Sequence, residues 1–254
     1  MTMRILIVNK FLYLRGGDCV HSLNLKQLLR NAGHDVCFYA MSYSQNIVCE
    51  ENKYFAEEIS FSAKDLQGKI KAASRIIWGI GVVQNFKKLL EEFQPDVVHL
   101  NNIHSYLSPI VAKLAYQRGV KVIWTLHDYK LICPSYSCLC KGNTCEACFT
   151  DKKHVVLRKC MKNSFPASIL AWGEAMNWNK NKLSLWTNSF ICPSQFMAEK
   201  MQQGGYPASK LQVISNFIGE EQVQYIINTP NPIREEAYLS LIHISEPTRR
   251  SYIS

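Results

Sequence analysis

The sequence predicts an α/β fold built on a doubly wound parallel sheet, and three observations carry that prediction. Short apolar runs rich in β-branched residues recur along the chain, and runs apolar on both faces belong to strands buried in a parallel sheet. The segments between them repeat their apolar residues with a helical period, and strands alternating with helices give right-handed crossovers. Polar and titratable groups follow three of the strands: Gly16-Gly17, Asn101-Asn102 and His127-Asp128. Open α/β sheets bind ligands at the carboxyl ends of their strands.

Arg4-Ile5-Leu6-Ile7-Val8 is the first strand. A helix over Asp18–Ala32 puts His21, Leu25, Leu28, Leu29 and Ala32 on one face, and Gly33 stops it in a left-handed conformation. Asp35–Ala40 is the second strand, and residues 42–63 read as a polar loop with one short strand. From Lys64 to Phe93 the pattern is helical. Leu66, Ile70, Ala73 and Ile77 share one face, and Val82, Phe86, Leu89 and Phe93 share another. Gly79 and Gly81 break this segment and Pro95 ends it. Asp96–Leu100 is the third strand, with His99 a satisfied core residue inside it. A helix over Tyr106–Arg118, stopped by Gly119, leads into the strand Val120–Leu126. After a cysteine-rich loop come a helix over Phe165–Asn179, a strand Phe190–Cys192, a helix from Ser194 to Gln203 and a strand Leu211–Ile214.

A chain of 254 residues holds one large domain, or one domain and the start of another. The net charge of +9 favours acidic partners: nucleic acid, anionic lipid or phosphorylated small molecules. No block of consecutive basic residues with interleaved aromatics occurs, which argues against nucleic acid. No run approaches the roughly 18 apolar residues that span a bilayer. The first apolar run is too short for a secretory signal and reads as a strand. The expectation is a cytoplasmic protein with reduced thiols.

Four constellations bear on chemistry. Gly16 and Gly17 permit positive φ and close backbone approach, and the helix after them offers N–H groups and a positive dipole end to a phosphate. The pair belongs to neither G-x-G-x-x-G nor a P-loop, and a plain tight turn into a helix accounts for it equally. His127 at a strand end suits hydrogen bonding to a sugar hydroxyl or proton transfer near neutral pH, with Asp128 orienting neighbours or serving as a turn residue. Asn101, Asn102 and His104 line the same crevice as candidate acceptor contacts. Cys145-Glu146-Ala147-Cys148 is a C-x-x-C knuckle, and Cys133 with Cys160, or Cys138 with Cys140, would complete a structural zinc site. Free thiols, labile disulfides or an iron–sulfur site are the alternatives. Finally, the basic segment Lys64–Lys88 with Trp78 suits an anionic membrane surface. A solvated basic face around a core stripe explains it too, and is the reading adopted.

These residues together resemble the amino-terminal half of a GT-B glycosyltransferase of the large retaining family 4. The carriers are the first strand with Gly16-Gly17, Pro95–Leu100, Thr125–Tyr129, the cysteine-bearing insert, Cys192-Pro193-Ser194-Gln195-Phe196 and Val213–Ile218. The resemblance runs from Arg4 to about Ile218 and implies a Rossmann-like domain that mainly binds the acceptor, while a second domain grips a nucleotide-sugar donor. By the same resemblance the Gly16 and Gly17 N–H groups approach the donor diphosphate, and His127 hydrogen-bonds the transferred sugar. Asp128 and Ser194 are then secondary crevice residues, and the chemistry needs no metal. The implied setting is bacterial capsule, O-antigen or exopolysaccharide assembly on a glycan or lipid-linked acceptor, in the cytoplasm or peripheral on the inner membrane face.

By the resemblance, the family's donor domain is expected to be missing after about Asn231. The expected organisation is a family 4-like domain over 1–218, a linker and the opening of the donor domain over 219–238, and a tail over 239–254. That tail resembles a translated sequencing-library adapter, and the chain alone is expected to be inactive. Two alternatives stand beside the transferase: a nucleotide-sugar epimerase of GT-B architecture, and a non-catalytic zinc-binding α/β module, because fold does not fix reaction.

Overall fold

The computed structural model describes residues 1–61 and 65–229. Lys64, residues 230–238 of the expected linker and the adapter-like tail lie outside them. The first half runs β1 (Arg4–Val8), α1 (Gly17–Asn31), β2 (Asp35–Tyr39), α2 (Leu66–Trp78), α3 (Val83–Phe93), β3 (Val97–Leu100), α4 (Ile110–Gln117) and β4 (Lys121–Thr125). The second half adds β5 (Leu139–Cys140), β6 (Asn143–Thr144), α5 (His154–Leu157), α6 (Phe165–Asn177), α7 (Lys180–Trp186), β7 (Ser189–Cys192), α8 (Gln195–Gln203), β8 (Leu211–Val213) and α9 (Glu220–Asn228).

Six strands form one parallel sheet in the order β2-β1-β3-β4-β7-β8, and β5 and β6 make a small antiparallel hairpin. The fold is thus the doubly wound Rossmann-like α/β sheet that the alternation of elements predicts. The central strands are apolar on both faces because helices cover both, and Leu6, Ile7, Val8, Val98, Leu100 and Val122 lose all contact with solvent. Trp124 sits among them, its Nε1 donating to the Asn101 carbonyl at 2.9 Å, so that its one polar atom is not left unpaired.

Glycines end the helices where the sequence placed them. Gly33 and Gly119 are left-handed, and Gly79 caps α2 at φ +70°. Behind Gly79 the chain has no room for a side chain: a Cβ there would lie 2.5 Å from Ile110 Cγ2.

Two expectations are corrected. The face of α2 carrying Leu66 and Ile70 points to solvent, and the helix buries Ala72, Arg75 and Ile76. The reason is Arg75, whose guanidinium donates to the carbonyls of Ile80 at 2.6 Å and Tyr106 at 3.0 Å and so ties the α2–α3 turn to the loop after β3. On α1, Leu28 is exposed while Cys19, Ser22 and Leu25 face the sheet. The helix expected over Phe165–Asn179 stands as α6 and ends at Asn177, after which Asn179 caps a further helix, α7, by accepting from Lys182 N at 3.2 Å. A helix, α9, stands over 220–228, within the stretch expected to hold a linker and the opening of a further domain.

Gly79→Ala combines left-handed strain with overpacking against Ile110 and should lower the unfolding free energy by about 2 to 4 kcal/mol. Urea melts at unchanged m-value measure this, and a loss below about 0.5 kcal/mol would contradict the packing described.

Candidate functional site

In this sheet β1 lies between β2 and β3, so the winding reverses between β1 and β3 and a crevice opens at their carboxyl ends. Asn9 follows β1 directly and is buried. Its Oδ1 accepts from Asn102 N at 3.1 Å and its Nδ2 donates to the Phe11 carbonyl at 3.2 Å. Lys10 N donates to the Asn102 carbonyl at 3.0 Å, which fastens the loop after β1 to the end of β3. Sequence reasoning missed Asn9, although a polar residue immediately after an apolar strand was the available signal.

Gly16 is the N-cap of α1 with extended backbone, φ −161° and ψ 178°, a conformation open to any residue. Neither Gly16 nor Gly17 has positive φ, so the expected conformational role is absent. A Cβ on Gly17 would meet nothing within 4 Å, one on Gly16 would touch Asp18 Oδ1 at 3.6 Å, and no side chain caps the helix start. Close by, Asp18 Oδ2 lies 3.4 Å from Lys10 Nζ.

The site's histidine follows the end of β4. His127 Nε2 lies 3.0 Å from Asn101 Oδ1. An acceptor oxygen there makes Nε2 the protonated nitrogen and leaves Nδ1 as an acceptor. Burial, then the neighbouring His21, holds the imidazole well below its ordinary pKa, so it is neutral at pH 7. His21 meets the His127 ring edge-on at 5.1 Å and the Phe217 ring at 5.2 Å, and its buried Nδ1 has no hydrogen bond among the described residues. The helical period alone put His21 on the core face; its contact with His127 was not legible. Below the site, His99 pairs with Thr125 Oγ1 at 2.8 Å and burial pushes its pKa down to about 4. It is the satisfied core histidine expected.

Asn101, Asn102, His104, His127 and Asp128 line one small pocket, open to solvent, together with Trp124, Thr125, Leu126 and Leu131. The structure therefore gathers the strand-end residues of β3 and β4. Within the group, Asn101 is buried with its side-chain oxygen turned to His127, which places it behind the imidazole. His104 stacks on Trp124 at 5.3 Å and burial keeps it uncharged. Asp128 Oδ1 accepts from Lys130 N at 2.8 Å, a turn contact, and burial raises its carboxyl pKa. Ser194 lies apart from this cavity at the start of α8, where its Oγ accepts from Met197 N at 3.2 Å as the helix cap. Lys130 Nζ bonds Glu174 Oε2 at 2.8 Å and the Pro134 carbonyl at 2.7 Å, a buried ion pair that ties the loop after β4 to α6.

The cysteines do not assemble as the knuckle suggested. Among the described residues no group of three or more His, Cys, Asp or Glu side chains is placed to hold a metal ion. Cys133 Sγ meets Ser135 Oγ at 3.2 Å, and the thiols of Cys133 and Cys138 neighbour each other, as do those of Cys140 and Cys160. Cys145 Sγ accepts from Arg158 Nη1 at 3.0 Å, and Cys148 is buried in the following turn. The set Cys133, Cys145, Cys148 and Cys160 thus does not fit one zinc ion, because the β5–β6 hairpin directs the thiols to different partners. The neighbouring Cys138 thiol, with Ser135, favours the thiolate of Cys133 and lowers its pKa.

A parallel sheet with its crevice at the switch point, a bare helix start on one side and a neutral histidine on the other makes a Rossmann-like domain with a candidate ligand crevice. The chain belongs to Glycosyltransferase Family 4, which it matches over residues 15–222. An uncharacterized glycosyltransferase of Methanosarcina acetivorans is 36% identical over 107 residues, 39% of this chain and 28% of that protein. The catalytic domain of starch synthase IV from Arabidopsis thaliana, solved with ADP and acarbose, superposes with a TM-score of 0.50 at 12% identity, covering 87% of this chain and 53% of that one. A UDP-GlcNAc 2-epimerase from Neisseria meningitidis, solved with UDP-GlcNAc, has a TM-score of 0.43 at 14% identity, covering 84% and 47%. The chain spans about half the length of these solved structures.

Mild oxidation with a thiol-selective disulfide reagent should join Cys133 to Cys138 and Cys140 to Cys160, read as linked peptides by mass spectrometry without reduction. Dominant Cys145–Cys148 linkage would contradict the arrangement.

Proposed function

We propose that this domain is the acceptor-side half of a glycosyltransferase that moves a sugar from a nucleotide-sugar donor to a glycan or lipid-linked acceptor in bacterial surface polysaccharide synthesis. The observation that carries the reading is the placement of His127: neutral, backed by Asn101, at a strand end beside the switch-point crevice. Membership of the glycosyltransferase family supports it.

In this reading the donor diphosphate lies against the open start of α1 at Gly16-Gly17, where unpaired N–H groups and the helix dipole favour an anion. His127 Nδ1 accepts from a hydroxyl of the transferred sugar. A neutral imidazole suits that contact, since a cation there would lack an acceptor nitrogen. Asn102 and His104 sit on the acceptor side, and Asp128 shapes the crevice through the turn it makes. The leaving phosphate assists transfer on one face of the sugar, and the domain contributes position and charge stabilisation, with no metal in the chemistry.

In a protein that carries both domains, His127→Ala should lower kcat by about two orders of magnitude or more while the melting temperature holds. The readout is a new glycosidic bond on an added acceptor. Equal kcat for variant and parent would remove His127 from the site, and sugar epimerisation without acceptor would replace the transferase reading.

A further inference from the structure

Helix α6 buries Ser168, Ala171 and Glu174 and leaves Phe165, Ile169, Trp172 and Met176 exposed. Glu174, only 4% exposed, is the unusual member of the inner side. Its Oε2 meets Lys130 Nζ at 2.8 Å, but its Oε1 is buried with no hydrogen-bond partner among the described residues. Lys130 is 9% exposed, and its ammonium also donates to the Pro134 carbonyl at 2.7 Å. Those two acceptors leave one N–H of the ammonium over. A buried carboxylate oxygen without a donor is costly, so its retention calls for a group that donates to it.

Both residues line a second small pocket, open to solvent, whose walls include Pro109, Leu131, Trp178 and Leu183. His104 and Leu131 line this pocket and the one at His127, so the two are neighbours. What the second pocket admits follows from its chemistry. A carboxylate or phosphate would face Glu174, and an ammonium would face Lys130. A hydroxyl donates and accepts, and so serves Oε1 and the spare N–H together. The apolar walls suit the carbon that carries the hydroxyl. The room is that of a substituent rather than of a whole ring.

We infer that the pocket of Glu174 and Lys130 takes the primary hydroxyl of a hexopyranose, and so selects acceptor sugars that carry a hydroxymethyl arm. The inference rests on the acceptor-side reading above. No residue of α1, where that reading places the donor diphosphate, lines the pocket, which gives the arm to the acceptor and not to the donor. Glu174 and Lys130 then have two duties: the ion pair holds the loop after β4, and its free oxygen and N–H read the sugar.

The test uses the 254-residue chain and simple probes: methyl glycosides of glucose, galactose and mannose, each beside its 6-deoxy counterpart. Dissociation constants come from ligand-observed NMR with no nucleotide-sugar present. At least one hexoside should bind, with saturation transfer strongest at its C6 protons. Its 6-deoxy counterpart should bind about tenfold more weakly or worse, since it leaves the buried oxygen unpaired. Ala175→Leu fills the pocket from a half-buried lining position, leaves the ion pair in place and should weaken binding as much. The probe comparison needs no variant, so it decides even if Ala175→Leu fails to fold. A 6-deoxy probe that binds as well as its parent, or a folded Ala175→Leu that binds normally, would overturn the proposal. So would no binding by any hexoside, the result if the pocket takes water alone. The readout involves no transfer, so failure of this subsite and failure of the transferase reading give separate results.

Discussion

Asn101 is the residue through which core and site are joined. Its N–H donates to the Val8 carbonyl at 2.9 Å, its carbonyl accepts from the buried Trp124 indole, and its side-chain oxygen meets His127. One residue at the end of β3 therefore ties β1 to β4 and aims the imidazole. Hydrogen bonds in a buried setting are costly to break, about 1 to 3 kcal/mol for each group left unpaired, so the orientation of His127 is inherited from the sheet. The positions of Asn102, His104 and the cavity follow from the same junction.

Buried charge does similar work around the crevice. Arg75 spans from α2 to the loop after β3, and Lys130 with Glu174 fastens the loop after β4 to α6. Replacing such pairs by apolar residues often leaves stability unchanged, whereas their hydrogen-bond geometry admits few loop positions. Both sit beside strand ends, where the loops that line a ligand crevice have no ladder to hold them. The polar inner side of α6 is explained by that duty, and its apolar residues are left for the outside.

The sheet and its order of elements were legible because period and punctuation agreed. Val-rich runs gave the strands, and Gly33, Gly79 and Gly119 marked helix ends that the structure places there. Which face a helix buries was less legible. In α2 the apolar face lost to the one bearing Arg75, since the carbonyls that Arg75 satisfies are 5 and 31 residues away. His21 illustrates the same limit: a period identifies the inward face, but only the packed sheet shows that His127 lies opposite. Cysteine spacing carried little, because the hairpin at Leu139–Thr144 reverses the chain inside the cluster and re-pairs the thiols.

The central claim is that Asn101 fixes His127 as a neutral imidazole protonated on Nε2. Nitrogen-15 correlation spectra of the imidazoles across a pH series test it directly, with Asn101→Ala assigning the resonance. The account predicts that His127 holds the Nε2–H form and stays neutral well below pH 6.5, the ordinary histidine pKa, because burial disfavours the cation. A His127 protonated on Nδ1, or one that titrates near 6.5 and is indifferent to Asn101→Ala, would contradict it.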